Sequence, residues 1–139
     1  MGWRSALSDG LEIVIPGNPV SGNHAKMPIG RGRQVRTPAA RDYDMRIASI
    51  ALAAVAIARW KMPDYVCVDV DLFNGRTDRD NACKEILDPL QGIVFAHDSR
   101  ILDGRTVRLK DKGGPRVILR IRAVDGKDYG FATPRKTAC

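Results

Sequence analysis

Cysteine is scarce in this chain. Cys67, Cys83 and Cys139 are odd in number, widely spaced and without a C-x-x-C. That excludes a disulfide framework and a cysteine zinc site, and it fits a reducing, cytoplasmic home. Long apolar runs are missing too. The longest, Ile47–Ala58, is rich in alanine and too short to span a bilayer, so no membrane role is expected. The start does not resemble a signal peptide, because the basic opening leads only into Leu11–Ile15. There is no G-x-x-x-x-G-K-[ST], H-E-x-x-H or G-x-S-x-G, which argues against P-loop nucleotide hydrolysis, zinc proteolysis and serine hydrolysis. No internal repeat is visible.

Positive charge is what the chain has in excess. A net charge of +7 over 139 residues makes a polyanion the expected partner, with nucleic acid ahead of a membrane surface. The length suits a single domain over 1–139 with a core of its own.

The local patterns give an α/β (α+β) reading, a small mixed sheet packed against two main helices. Leu11–Ile15 reads as a strand closed by Pro16-Gly17. The segment 17–38 is rich in glycine, proline and basic residues and reads as a flexible cationic loop. Its charges, Lys26, Arg31, Arg33 and Arg36, are placed to close over a phosphate backbone. Pro38 opens a helix reaching about Trp60, with a broad apolar face that predicts nearly complete burial. The 64–73 stretch alternates, with Val66, Val68, Val70 and Leu72 on the core face and Asp69 and Asp71 on a solvated one. A second helix starts near Asn81 and stops by Gly92, with Pro89 forcing a bend or a fresh turn. The segments 105–110 and 116–123 flank Lys112-Gly113-Gly114-Pro115 and read as a β-hairpin. On its second strand Arg116, Arg120 and Arg122 form a basic stripe. Residues 1–10 and 125–139 read as loose termini.

The chemistry concentrates between Thr77 and Ser99. Asp78 and Asp80 flank one residue at a helix mouth, Lys84 follows one turn later, Asp88 shares its face, and His97-Asp98 closes the stretch. Oxygen ligands of this kind suit a hard divalent cation such as Mg²⁺, which keeps several waters and needs only two or three carboxylates. Such a cation relieves the repulsion among clustered carboxylates. An ammonium at Lys84 would steady charge growing on a transferring phosphate. Ordinary readings stand beside these. D-x-D also arises from helix capping, D-x-x-x-K is a common surface pair, and His97-Asp98 is either a general-base arrangement or a turn ahead of a strand. Spacing alone does not bring Asp98 back to Asp78 and Asp80.

The order of signals resembles the RusA family of Holliday junction resolvases. The resemblance rests on Asp78-Arg79-Asp80-Asn81, Lys84, Leu87-Asp88, Leu90, Gly92, Asp98-Ser99 and Ile101, with Ile13–Pro16 and Pro19 to Asn23-His24 upstream. It spans about residues 11–123. It implies that Asp78, Asp80 and Asp98 are essential carboxylates holding Mg²⁺, with Mn²⁺ able to substitute, and that Lys84 is the essential basic residue. It makes Asn81 a support for the motif and sets Asn23 near the site. It further implies a homodimer acting on four-way or branched DNA in a bacterial cell, encoded by chromosome or phage. His97 stands where the family carries the first acid of a pair, so no metal role passes to it. Two rivals remain at this point, a DNA-binding module without activity and a metal-dependent transferase using Asp78 and Asp80 to hold a nucleotide-sugar diphosphate.

Overall fold

The computed structural model describes residues 10–20, 25–75 and 79–131, with the side chains of Asp80 and Asn81 left aside. Its centre is strand β4 (Tyr65–Phe73), whose alternation buries Val66, Val68, Val70 and Leu72 as the pattern predicts. On one side β4 pairs antiparallel with β7 (Arg116–Val124), which pairs in turn with β1 (Gly10–Pro16). On the other side it pairs parallel with two short strands in succession, β5 (Ile101–Asp103) and β6 (Thr106–Leu109). The sheet is therefore mixed, and β4 is its hinge between antiparallel and parallel pairing.

This order corrects the expected hairpin. The segments 106–109 and 116–124 do not pair with each other, because β4 lies between them. Strand β7 spends both its edges on β1 and β4. The Gly-Gly-Pro connection instead carries the chain from one flank of β4 to the other. Asn74, with a positive φ of 56°, helps to fix this crossing through its amide bonds to Asp111 and Gly113.

The break between β5 and β6 falls at Gly104, where φ is 150° and a Cβ would meet the Val68 carbonyl oxygen at 1.8 Å. No side chain fits there. Beyond the break, the Arg105 amide donates to the Asp69 carboxylate at 3.0 Å, and the Arg105 carbonyl accepts from Val70 at 2.8 Å. Asp69 is thus not a merely solvated residue; it caps an interruption in the edge strand.

Helix α1 (Pro38–Ala58) opens as expected, with Thr37 capping the Ala40 amide and Pro38 in the first turn. Its burial is one-sided, which corrects the expectation of a nearly enclosed helix. Ala40, Tyr43, Ile47 and Ala51 face the sheet, whereas Met45 (68%), Leu52 (57%) and Ile57 (84%) stand open. Alanines broadened the apparent apolar face without requiring a partner. The segment expected to be irregular also has structure. Strands β2 (Lys26–Gly30) and β3 (Arg33–Arg36) form a separate antiparallel hairpin, turned at Arg31-Gly32 and exposed along nearly all its length. At the other end, the chain does not fray at Asp125. A short turn at Gly126–Tyr129 returns Phe131 to the Gly126 carbonyl and sets its ring against Tyr65. Residues 1–9 and 132–139 lie outside the described residues.

Candidate nuclease site

Helix α2 (Arg79–Leu87) carries the middle of the acidic stretch. Ala82 and Ile86 bury one side of it in the core, and Leu90 and Val94 continue that contact after the helix. With those positions fixed inward, the i,i+4 spacing sends Lys84 and Asp88 to another face together. A 3₁₀ turn at Asp88–Leu90, opened by Pro89 in its first positions, ends the helix as a fresh turn.

The chain must then return Asp98 to this face. Gly92 adopts a positive φ of 82°, its amide bonds to the Phe95 carbonyl at 2.7 Å, and Val94 and Phe95 are wholly buried. The Trp60 indole donates to the Val94 carbonyl at 2.9 Å, tying the connection to the residues just beyond α1. A second 3₁₀ turn, Asp98–Arg100, begins where this buried loop surfaces.

The result is a cleft of about 1040 Å³ into which Arg79, Lys84, Asp88, Asp98, Arg105 and Arg108 all face. Its far wall is β6 and the break at Gly104. Lys84 and Asp98, separated by fourteen positions, line this one cleft. Asp78 lies outside the described residues, as do Asn23 and the side chains of Asp80 and Asn81. Arg79, the residue between the two leading aspartates, lines the cleft. Arg105 and Arg108 were missed in the sequence because they sat in a supposed hairpin; only the parallel pairing of β6 with β4 brings them to this wall.

The cleft sets two acids, Asp88 and Asp98, among four cations. The Asp88 carboxyl is pushed up from its ordinary value, first by burial and then by the charges of Glu85 and Asp98, against the pull of Lys84 and Arg36. The Asp88 side chain makes no hydrogen bond or ion pair among the described residues. The Asp98 side chain meets only the His97 ring among the described residues, with Nδ1 at 2.8 Å from Oδ1. The same nitrogen accepts from the Ser99 amide at 3.2 Å. His97 is thus a cap for the turn that presents Asp98.

Donors of this kind, carboxylate oxygens short of protein partners, fit a hard divalent cation. Among the described residues no three acidic, histidine or cysteine side chains cluster closely enough to enclose one.

The family model for endodeoxyribonuclease RusA matches residues 16–122. The chain belongs to the RusA family. That family comprises nucleases acting on Holliday junctions in recombination, binds branched DNA and is generally dependent on divalent metal. The mixed sheet with two helices is consistent with the RusA fold. No curated protein matches the chain. As a RusA-family member it carries the family's match across every element that builds the cleft, from the end of β1 through most of β7. None of its helices among the described residues is long and apolar enough to cross a membrane.

The remaining cations expected to grip DNA divide into two sets. Lys26, Arg31 and Arg33 are exposed on the β2–β3 hairpin, and Arg122 is exposed on β7; none forms an ion pair among the described residues. The other three are engaged within the fold. Arg36 binds Asp44 and Glu85, Arg116 binds Asp111 and stacks 4.1 Å over the Phe73 ring, and Arg120 binds Asp71. Arg116, with help from Asn74 and the Gly113 amide, holds the Asp111 carboxyl well below the usual carboxylate range.

Proposed function

We propose that the cleft cuts phosphodiesters in four-way and other branched DNA, nicking two symmetry-related strands. The observation that carries this reading is the meeting of Lys84, Asp88 and Asp98 in one cleft of a RusA-family chain. Asp78, Asp80 and Asp98 would hold Mg²⁺, for which Mn²⁺ can substitute; bound there, the cation would polarise a phosphoryl oxygen and lower the pKa of a coordinated water. The chain's own groups do the rest. Lys84 steadies charge that develops on the phosphate or the leaving oxygen. Arg105 and Arg108 flank the same space and suit the neighbouring phosphates, as do Arg31, Arg33 and Lys26 on the hairpin and Arg122 on β7. Arg36, Arg116 and Arg120 are partnered within the fold, which favours structural duty for them over a direct grip.

Two nicks need two sites, which a homodimer supplies through its symmetry. Met45 and Leu52 on α1 lie opposite its buried stripe and would be covered by a second copy. Asn81 and Asn23 would support the site.

The test is a labelled four-way junction incubated with the protein, with and without Mg²⁺. Paired symmetric nicks only in the presence of the cation carry the proposal. Tight junction binding with no nicking in Mg²⁺ or Mn²⁺ would leave a DNA-binding module of the same fold. Binding should weaken steeply as salt rises, since counterion release drives phosphate contact.

A further inference from the structure

Glu85 is the one buried charged side chain among the described residues, at 8% exposure. A lone buried carboxylate is costly, so its partner is informative. Arg36 Nη2 donates to Glu85 Oε2 at 2.7 Å, and Nη2 and Nε of the same guanidinium donate to the two Asp44 oxygens at 2.9 and 2.8 Å. The three residues belong to three different elements. Arg36 is the last residue of the basic hairpin, Asp44 sits in the second turn of α1, and Glu85 lies beside Lys84 on α2.

The hairpin has little else to hold it. Its strands are exposed and form a sheet of their own, joined to the body at its base by the Thr37 amide donating to the Ala25 carbonyl at 2.8 Å. Helix α2 is short, only nine residues, so its rotation about its own axis depends on side-chain contacts rather than on length. A guanidinium fork on Glu85 adds to the burial of Ala82 and Ile86 in holding that rotation, and thereby the direction of Lys84 one residue earlier.

We propose that Arg36, through Glu85, is a positioning residue that couples DNA held by the β2–β3 hairpin to the alignment of Lys84 in the cleft. The proposal rests on the nuclease reading given above, which it deepens. Phosphate contacts at Arg31 and Arg33 order the hairpin, the ordered hairpin holds Arg36 in place, and Arg36 holds α2 in the orientation that cuts. Cleavage would then be favoured only when the DNA reaches both the hairpin and the cleft, which suits selection for a branch over a plain duplex.

Removing Arg36 alone strands Glu85 and threatens the fold, so the test uses R36M/E85M, which exchanges the pair for apolar groups of similar length. Wild type, this variant and R31A/R33A are compared by thermal melting, junction affinity and single-turnover cleavage at saturating protein. The variant should melt near wild type and bind the junction within about twofold, yet cut about ten- to a hundredfold more slowly. R31A/R33A should lose affinity and, because the contacts that order the hairpin are gone, also cut more slowly than wild type once saturated; a near-normal saturated rate would overturn the coupling. Amide exchange over residues 79–87 supplies a readout independent of cutting: junction binding should protect them in wild type and fail to do so in R36M/E85M. Full-speed cutting by a folded R36M/E85M, or equal protection of the helix in both proteins, overturns the coupling. A wild type that cuts nothing overturns the nuclease reading instead, and the exchange comparison still decides the coupling.

Discussion

Two pairs of aspartates in this chain have the same side chain and opposite situations. Asp69 and Asp71 lie on β4, and each has a partner: the Arg105 amide for the first and the Arg120 guanidinium for the second. The side chains of Asp88 and Asp98 face the cleft, where one lacks any hydrogen bond among the described residues and the other meets only a histidine ring. The first pair is committed to the sheet. The second retains lone pairs, crowding and a nearby ammonium, which a protein leaves in place at a cost to stability when a ligand will use them. Acidic spacing does not distinguish the pairs, since both lie near D-x-D sequences. Partnership does.

Replacing Asp98 with Asn is the strongest way to break this comparison. Junction cutting should fall by at least about a thousandfold, while junction binding is kept or tightened because a negative charge near phosphate has gone. Electrophoretic binding and cleavage assays on one preparation measure both. Cutting that survives would move Asp98 into the committed group. Lys84→Ala comes next, with a cleavage rate lower by about 10²–10³-fold and a melting temperature little changed. Loss of folding in that variant would give Lys84 a structural duty the cleft does not suggest.

Much of the fold was legible because alternation and turn chemistry are local. The core faces of β4 and β7 follow from Val66, Val68, Val70, Leu72 and from Val117, Leu119, Ile121, all buried. The placing of β6 was not legible. A Gly-Gly-Pro connection between two extended segments looks like a hairpin, and nothing local records that β4 has a free edge to take β6 in parallel. The candidate site divides in the same way. Lys84 and Asp88 share a helical face by spacing alone, whereas Asp98 arrives through a loop fixed by Gly92, Val94, Phe95 and the Trp60 indole. Arg36 looked like a phosphate ligand because its partner Glu85 is forty-nine positions away. Charge reads easily from sequence, but the long-range pairing that neutralises it does not.

The smaller effects sharpen the contrast from the committed side. Asp71→Asn should leave junction cutting within about twofold and cost no more than about 1 kcal/mol of stability, because the Arg120 end of its pair is half-exposed to solvent and the amide can still accept from the guanidinium. Denaturant titration beside the cleavage assay tests both halves. A large cutting defect there would mean that partnership is a poor guide to function in this sheet.

Asp88→Asn should move stability the other way, by the least of all. Burial and the charges of Glu85 and Asp98 raise the Asp88 pKa above its ordinary 3.8, so the folded protein binds this proton more tightly than the unfolded chain does. Stability contributed by the protonated form is therefore fully present below pH 3.8 and is lost as pH rises through the higher folded value. At pH 7 the ionised carboxylate is a burden on the fold, and the amide removes it. Asp88 is exposed, so solvent screening leaves only a small gain: the variant should melt slightly higher than wild type at pH 7 without added metal, by no more than about 1 °C, and the gain should vanish as pH falls below the unfolded value. Mg²⁺ offers a second check, because a cation held in the cleft would lighten the same burden in wild type and narrow the difference. A variant less stable than wild type at pH 7 would show that Asp88 has a stabilising partner after all, and would move it to the side of Asp69 and Asp71.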